Sequence, residues 1–318
     1  MGLPIRFVLS AIVLCAGLSP AAGDPLFEMS GFVAGDLRLF PHHAIQPGQD
    51  NQRLNPSLVP QPEFLWEWNG DDDRIEFAPF ARLDSHDRER SHSDIRLLSY
   101  LHIDDGWDLT AGFDKVFWGV MESSHLVDYI NQTDAVEDVD GEDKLGQPML
   151  HLGLQRDWGD LNFFYLPYFR ERTFPGRHGR LRAFLVVDTD RARHEASAGE
   201  WYPNVALRYA TVLGDWDIGL AQFHGTDREP RLLAEADANG AIKLIPIYDI
   251  VDRTSVDIQA TIEEWLWKFE GNYQTARHGS FFAASAGLEY TFFGSVGEAG
   301  DLGVIAELHY DGRGRSTP

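Results

Sequence analysis

The residues best placed to do chemistry cluster in one stretch of the chain. Trp118-Gly119-Val120-Met121-Glu122 leads into Asn131-Gln132-Thr133-Asp134 and then an acidic run: Glu137, Asp138, Asp140, Glu142 and Asp143. Carboxylate oxygens suit a hard ion such as Ca²⁺. The run misses the EF-hand spacing, however, because Val136 stands where an acid is required if Gly141 is the turn glycine. It reads as a solvated acidic face, with no metal and no cofactor. Cations gather further on: Arg170, Arg172, Arg177, Arg180, Arg182, Arg191 and Arg193, with His178 and His194. Guanidinium forks match carboxylates and phosphates. Ser91-His92-Ser93 and His278-Gly279-Ser280 echo a nucleophile beside its base, but neither has a third member to orient the histidine. Asp84, His86, Asp87 and Asp94 add titratable groups of a kind that any acidic, loop-rich chain supplies. The sequence predicts no enzyme.

What must position these residues is a set of strands. From residue 26 to residue 311, about thirteen segments of roughly ten residues alternate apolar and polar side chains, at the period of two that strands impose. Val256, Ile258, Ala260 and Ile262 alternate with Asp257, Gln259, Thr261 and Glu263; Trp265, Trp267, Phe269 and Tyr273 alternate with Leu266, Lys268, Glu270 and Gln274. Acids and bases fall almost wholly on one phase. A soluble sandwich puts its apolar phase around a dry core. Here the charged phase is too long and repetitive for a solvent-facing side, which implies an apolar exterior around a wet interior. Only a closed barrel presents such an exterior to lipid with every backbone group paired. The expected fold is all-β, a transmembrane antiparallel up-and-down β-barrel.

Connections support this. Tight turns rich in Gly, Asp and Asn at 69–73, 105–106, 157–160 and 214–215, and a Glu263-Glu264 turn, alternate with long loops at 42–60, 85–93, 118–147, 171–200 and 224–254. Short turns on one side and long loops on the other are the outer-membrane pattern. Of nine tryptophans, Trp66, Trp68, Trp107, Trp158, Trp216, Trp265 and Trp267 lie beside the short turns, as an interfacial girdle requires. Lys115 and Arg156, the two charges on the outer phase, sit at strand ends.

The chain opens as a secretory leader over residues 1–23. Arg6 supplies the positive charge, Phe7 to Leu18 the apolar stretch, and Ser19-Pro20-Ala21-Ala22-Gly23 the small-residue cleavage region. Residues 24–318 form the barrel. Cys15 lies in the leader, so the mature chain has no disulfide, thiolate metal site or cysteine nucleophile. A formal charge of −23 excludes nucleic acid as a partner, since phosphates need a basic surface. Thirteen strands make an odd number, and the last enters Gly312-Arg313-Gly314-Arg315, which reads as an outer loop. Bacterial barrels have an even count, so we expect roughly sixteen strands in the complete protein and truncation at the C-terminal end.

A strand ending in Trp118-Gly119 near Glu122, followed by Asn131-x-x-Asp134, resembles porin-like barrels of proteobacterial outer membranes. The likeness covers about 50 residues plus the general architecture, and implies that a long loop folds inward to narrow the pore. On that basis the constriction candidates are Glu122, Asn131, Asp134, Asp138 and Asp140. Arg170, Arg172 and Arg177 face them if the arginine loop also dips inward. If it stays outside, its arginines suit lipopolysaccharide phosphates. Lumen candidates are Arg38, Glu76, Arg82, Arg96, Lys268 and Glu270, charges that need either water or partners. The expected function is passage of small polar solutes across the outer membrane. The alternative is a non-conducting scaffold or surface receptor whose loops bind lipopolysaccharide or a partner. The pattern leaves an oligomer open.

Overall fold

The computed structural model describes residues 5–12, 25–295 and 300–315. Its main sheet holds fourteen strands, joined in chain order by antiparallel neighbours. They are β1 (Ile5–Ile12), β2 (Leu26–Leu39), β3 (Leu54–Trp68), β4 (Asp73–Asp84), β5 (His92–Asp104), β6 (Trp107–Asp114), β7 (Gln147–Arg156), β8 (Gly159–Leu166), β10 (Asn204–Leu213), β11 (Trp216–Thr226), β14 (Ile250–Ile262), β15 (Trp265–Ala276), β16 (Gly279–Phe292) and β17 (Leu302–Asp311). A separate three-stranded sheet, β12 (Arg231–Ala236), β13 (Ile242–Tyr248) and the two-residue β9 (Arg193–His194), is built from the long loops. The chain is all-β, an up-and-down antiparallel meander. No helix among the described residues is long and apolar enough to cross a membrane, which leaves crossing by strands open.

The faces are inverted relative to a soluble sandwich. On β15, Lys268, Glu270, Asn272 and Gln274 are buried, whereas Trp265, Trp267 and Tyr273 are exposed. The same holds on β2, where Asp36 and Arg38 are each 3% exposed beside Val33 at 43%. Strands alternate their side chains between faces, so the polar phase lines the concave side and the apolar phase faces out. Aromatic pairs run along the outer face near the short turns: Phe27 with Trp66, Trp68 with Tyr100, and Trp265 with Tyr290.

The sheet curls until its two ends reach the same loop. Segment 115–146, between β6 and β7, contacts β2 and β4 through Glu137 and contacts β15 and β17 through residues 120–126. Strands from opposite ends of the sheet therefore surround one segment. Among the described residues, β1 and β17 are edges that do not pair with each other.

Several boundaries differ from expectation. The first loop ends at Arg53 rather than Pro60, because β3 starts at Leu54. Its prolines, Pro56, Pro60 and Pro62, share one parity and so lose their N–H groups on one side of the strand. The ladder to β4 breaks there between Leu58 and Phe64, while the ladder to β2 runs unbroken from Leu26 to Leu39. Strand β6 stops at Asp114, and the chain reaches the interior at Trp118; β8 stops at Leu166, short of Arg170. The 224–254 loop is not featureless: it carries the β12–β13 hairpin around Asn239-Gly240, a strong hairpin turn signal. The segment read as a leader is described only at Ile5–Ile12, paired with β2; the cleavage region and Cys15 lie outside the described residues.

Candidate functional site

Segment 115–146 carries almost no regular structure and is nonetheless deeply buried: Met121, Val127, Ile130, Asn131, Gln132 and Asp134 are each 2% exposed or less. A buried loop must find partners for its backbone groups. This one draws them from side chains on the surrounding strands.

At one end the anchor is Glu270 of β15, itself fully buried. Its Oε1 accepts the N–H groups of Val120 at 2.7 Å and Met121 at 3.1 Å, and its Oε2 accepts that of Leu126 at 2.7 Å. Glu307 of β17 repeats the device one step along, accepting from Glu122 N at 2.8 Å, Ser123 N at 3.0 Å and the Ser123 hydroxyl. The Ser123 hydroxyl also lies 3.0 Å from His309 Nε2, whose Nδ1 lies 2.8 Å from Ser285 Oγ. The backbone N–H groups of Glu122 and Ser123 beside that pair are both held by Glu307. The Glu122 carboxylate points to Lys268, 2.7 Å away, which also pairs with Glu289.

At the other end the anchors are arginines. Arg82 of β4 forks onto Glu137, with Nε 2.8 Å from Oε1, and reaches Asp36 at 3.2 Å and Ser57 at 2.7 Å. Arg90 binds Asp84 at 2.6 Å and the Val136 carbonyl at 2.9 Å, and Arg38 donates to the Glu137 carbonyl. Asp134 is held by Arg96 at 2.6 Å, by His92 at 3.1 Å and by the Thr173 hydroxyl at 2.7 Å. Burial alone would raise the Asp134 carboxyl, but His92, Arg96 and Thr173 together hold it well below the usual carboxylate range. The acidic run is therefore not a solvated face at Glu137, and Asp134 before it is equally enclosed. Asp138 is half-buried, 3.5 Å from Arg38 and 2.5 Å from Arg6; Asp140 is exposed, in a turn that accepts Glu142 N at 3.2 Å.

His92, Asp134 and Glu137 do offer three ligand atoms close enough for a metal ion. Their carboxylates are already spent on Arg82, Arg96 and Thr173, so the cluster is complete as an ion-pair network.

Between the two ends the loop packs apolar side chains. Trp118, Val127, Tyr129 and Ile130 meet Met149, Phe164, Leu166, Ala206, Phe223 and Val251 from β7, β8, β10, β11 and β14. Asn131 completes the fixation, accepting Val116 N at 2.9 Å and donating to the carbonyls of Asp114 and Leu145. Arg228, buried, donates from Nε and Nη2 to the Ile130 carbonyl at 3.0 and 2.9 Å. Burial lowers its guanidinium to about 9, with Arg253 adding to the shift. Sequence reasoning passed over Arg228, which sits beside Asp227 in a loop of mixed charge; nothing local distinguishes it.

The arginine loop is divided. Arg170 reaches inward to Asp94 at 2.7 Å and to the Gly146 carbonyl. Arg172 is half-buried, with its guanidinium 5.9 Å from the Phe174 ring centre and its N–H donating to the Tyr248 hydroxyl. Arg177 is exposed. Glu76 pairs with Arg74 at 2.9 Å. It also lines an open cavity of about 460 Å³ on the short-turn side of segment 115–146, with Glu28, Glu63, Asp114, Lys115 and Arg96.

The geometry is that of a curled sheet whose charged face grips an inward loop. Comparison with known proteins gives no family model and no curated protein that matches this chain. Among solved structures it is similar to OprB of Pseudomonas putida in its high-pH structure, at 10% identity and a TM-score of 0.42, over 91% of this chain and 76% of that one.

Proposed function

We propose that the protein is a porin-like outer-membrane channel. Small polar solutes pass through a charged lumen narrowed by segment 115–146. One observation carries this reading. The sheet turns its apolar phase outward and its ionised phase inward, and the inward charges hold a single loop across the interior from opposite walls. An apolar outer face is tolerable only in lipid. The constriction on this reading comprises Glu122, Asn131, Asp134, Asp138, Asp140 and Arg170, with Arg38, Glu76, Arg82, Arg96, Lys268 and Glu270 on the wall. No cofactor and no covalent step enters. Residues 1–23 act as a leader removed on export, and lipid and lipopolysaccharide surround the exterior.

A second reading has its own support. The apolar cluster around Trp118 and Phe223 seals the β7–β14 side of the interior. A barrel so filled serves as a scaffold or receptor. Planar-bilayer recording of the full-length protein separates the two: steady ohmic steps establish the channel, and electrical silence across preparations leaves the scaffold.

A further inference from the structure

A second cavity lies among the long loops, apart from segment 115–146. Residues 40–49 and 180–182 enclose about 320 Å³, lined by Phe40, His42, His43, Gln46, Arg180 and Arg182 among others. No acidic side chain lines it, in a chain whose formal charge is −23.

The two arginines differ from those in the interior. Arg82, Arg90 and Arg96 each face a carboxylate within 3.2 Å. Among the described residues, Arg180 and Arg182 pair with none. Arg180 donates to the carbonyls of His42 at 2.7 Å and of Asp50 and Gln52 at 3.2 Å, and lies 4.6 Å from the Phe40 ring centre. Arg182, 6% exposed, donates to the carbonyls of Pro47, Arg177, Ala183 and Phe184. The nearby Asp50 carboxylate is engaged by His86 at 3.0 Å. Burial lowers both guanidinium groups; Arg177 adds to that at Arg182, while the Asp50 charge partly offsets it at Arg180. Carbonyl dipoles fix these side chains in place but do not neutralise them. Arg180, half-buried, and Arg182, buried, have no ion-pair partner within salt-bridge distance among the described residues, and an anion that reaches them is stabilised.

We propose that this cavity binds a phosphate group, carried either by a soluble ester or by the headgroup of lipopolysaccharide. Arg180, whose Nε bonds no carbonyl, and two imidazoles can face a doubly charged oxyanion, with the charge of the carbonyl-bound Arg182 behind them. Phe40, Pro41, Ile45 and Leu181 give the organic part of an ester an apolar wall. The site stands whether or not the protein conducts.

The test is calorimetric titration of inorganic phosphate into the full chain in detergent micelles. Saturable one-site binding is expected, weakened at least tenfold in Arg180→Gln. Because Arg180 also ties down three carbonyls, Gln46→Glu is the companion variant. It adds a carboxylate to the wall and leaves every arginine contact in place, and an unchanged limited-proteolysis pattern checks the loop. The same tenfold loss is expected. Repeating the titration in micelles doped with lipopolysaccharide names the source. Displacement of phosphate assigns the lipid headgroup, and undisturbed phosphate binding assigns a soluble solute. No saturable binding in either medium, or equal binding by both variants and the native chain, overturns the site.

Discussion

Gly119 and Glu270 approach so closely that no side chain fits between them: a Cβ on Gly119 would lie 2.8 Å from Glu270 Oε1. The backbone of Gly119 also has a φ of +129°, which L side chains rarely adopt. That conformation starts the turn whose next two N–H groups converge on the same carboxylate. Gly119→Ala is expected to strain the turn by about 1–3 kcal/mol and unseat residues 120–126. Glu270→Gln should act in the same direction by a different route. It replaces an acceptor of three amides with a group that must present N–H to one of them, and hydrogen bonds to a charged partner contribute about 1.5–3 kcal/mol each. Both variants should show larger, noisier current steps and new protease cleavage within 120–126. A quiet, native-sized conductance in both would refute the clasp.

At the other end of the same loop, Arg82 and Glu137 are each nearly enclosed, at 3% and 4% side-chain exposure. Removing one partner leaves a buried charge short of its main counter-charge, and breaking a buried pair costs up to about 3–5 kcal/mol. Arg82→Met and Glu137→Leu are each expected to lower the thermal unfolding midpoint markedly. The double variant should recover most of the loss, because apolar pairs of similar volume replace buried ion pairs well. Asp36 and Ser57 share Arg82, so the recovery will be incomplete. A double-mutant cycle with no coupling would show that the pair does not hold the loop.

The strands are legible because charges keep to one face at a period of two: all thirteen expected segments lie in the main sheet, most within a few residues of their expected ends. The exceptions have local causes. Pro56, Pro60 and Pro62 made the first part of β3 look like loop, although its prolines disrupt only one of its two ladders. The β12–β13 hairpin was readable from Asn239-Gly240 and was missed because charges at Asp227, Arg228 and Glu229 dominate the preceding stretch. Which residues form the site was less accessible. Period two assigns a residue to a face, but Glu137 meets Arg82 across 55 positions and Glu270 meets Val120 across 150. No local pattern encodes such pairings. Ordinary inward-facing charges and the anchors of a loop look alike in sequence.

Export provides a third prediction. Ile5–Ile12 pairs with β2, and Arg6 contacts Asp36 at 3.2 Å, yet the same residues carry the charge and apolar run of a leader. We expect N-terminal sequencing of protein extracted from outer membranes to begin near Asp24. In the mature chain Asp36 would then rely on Arg38, Arg82 and Arg90. A mature protein that starts at Met1 would show β1 to be a permanent strand.

The loop's carboxylates predict opposite responses to acid, and the sign follows from each environment. Asp134 is held below its ordinary value of 3.8 because His92, Arg96 and Thr173 outweigh its burial. Its contribution to stability is therefore present above about 3.8 and is lost only as the pH falls toward its lower folded value. Asp128, pushed up by burial despite Lys144 at 3.2 Å, behaves in reverse: protonating it relieves a penalty that exists at neutral pH. Mild acid, between neutrality and about pH 4, should thus leave segment 115–146 seated or slightly firmer, and stronger acid should release it. Conductance and protease access measured across that range check the order of events. Asp134→Asn should abolish the low-pH release and loosen the loop at neutral pH instead, since a neutral amide oxygen accepts from Arg96 and His92 without the charge that pairs with them. Release that begins near neutrality in the native chain would place the controlling group elsewhere.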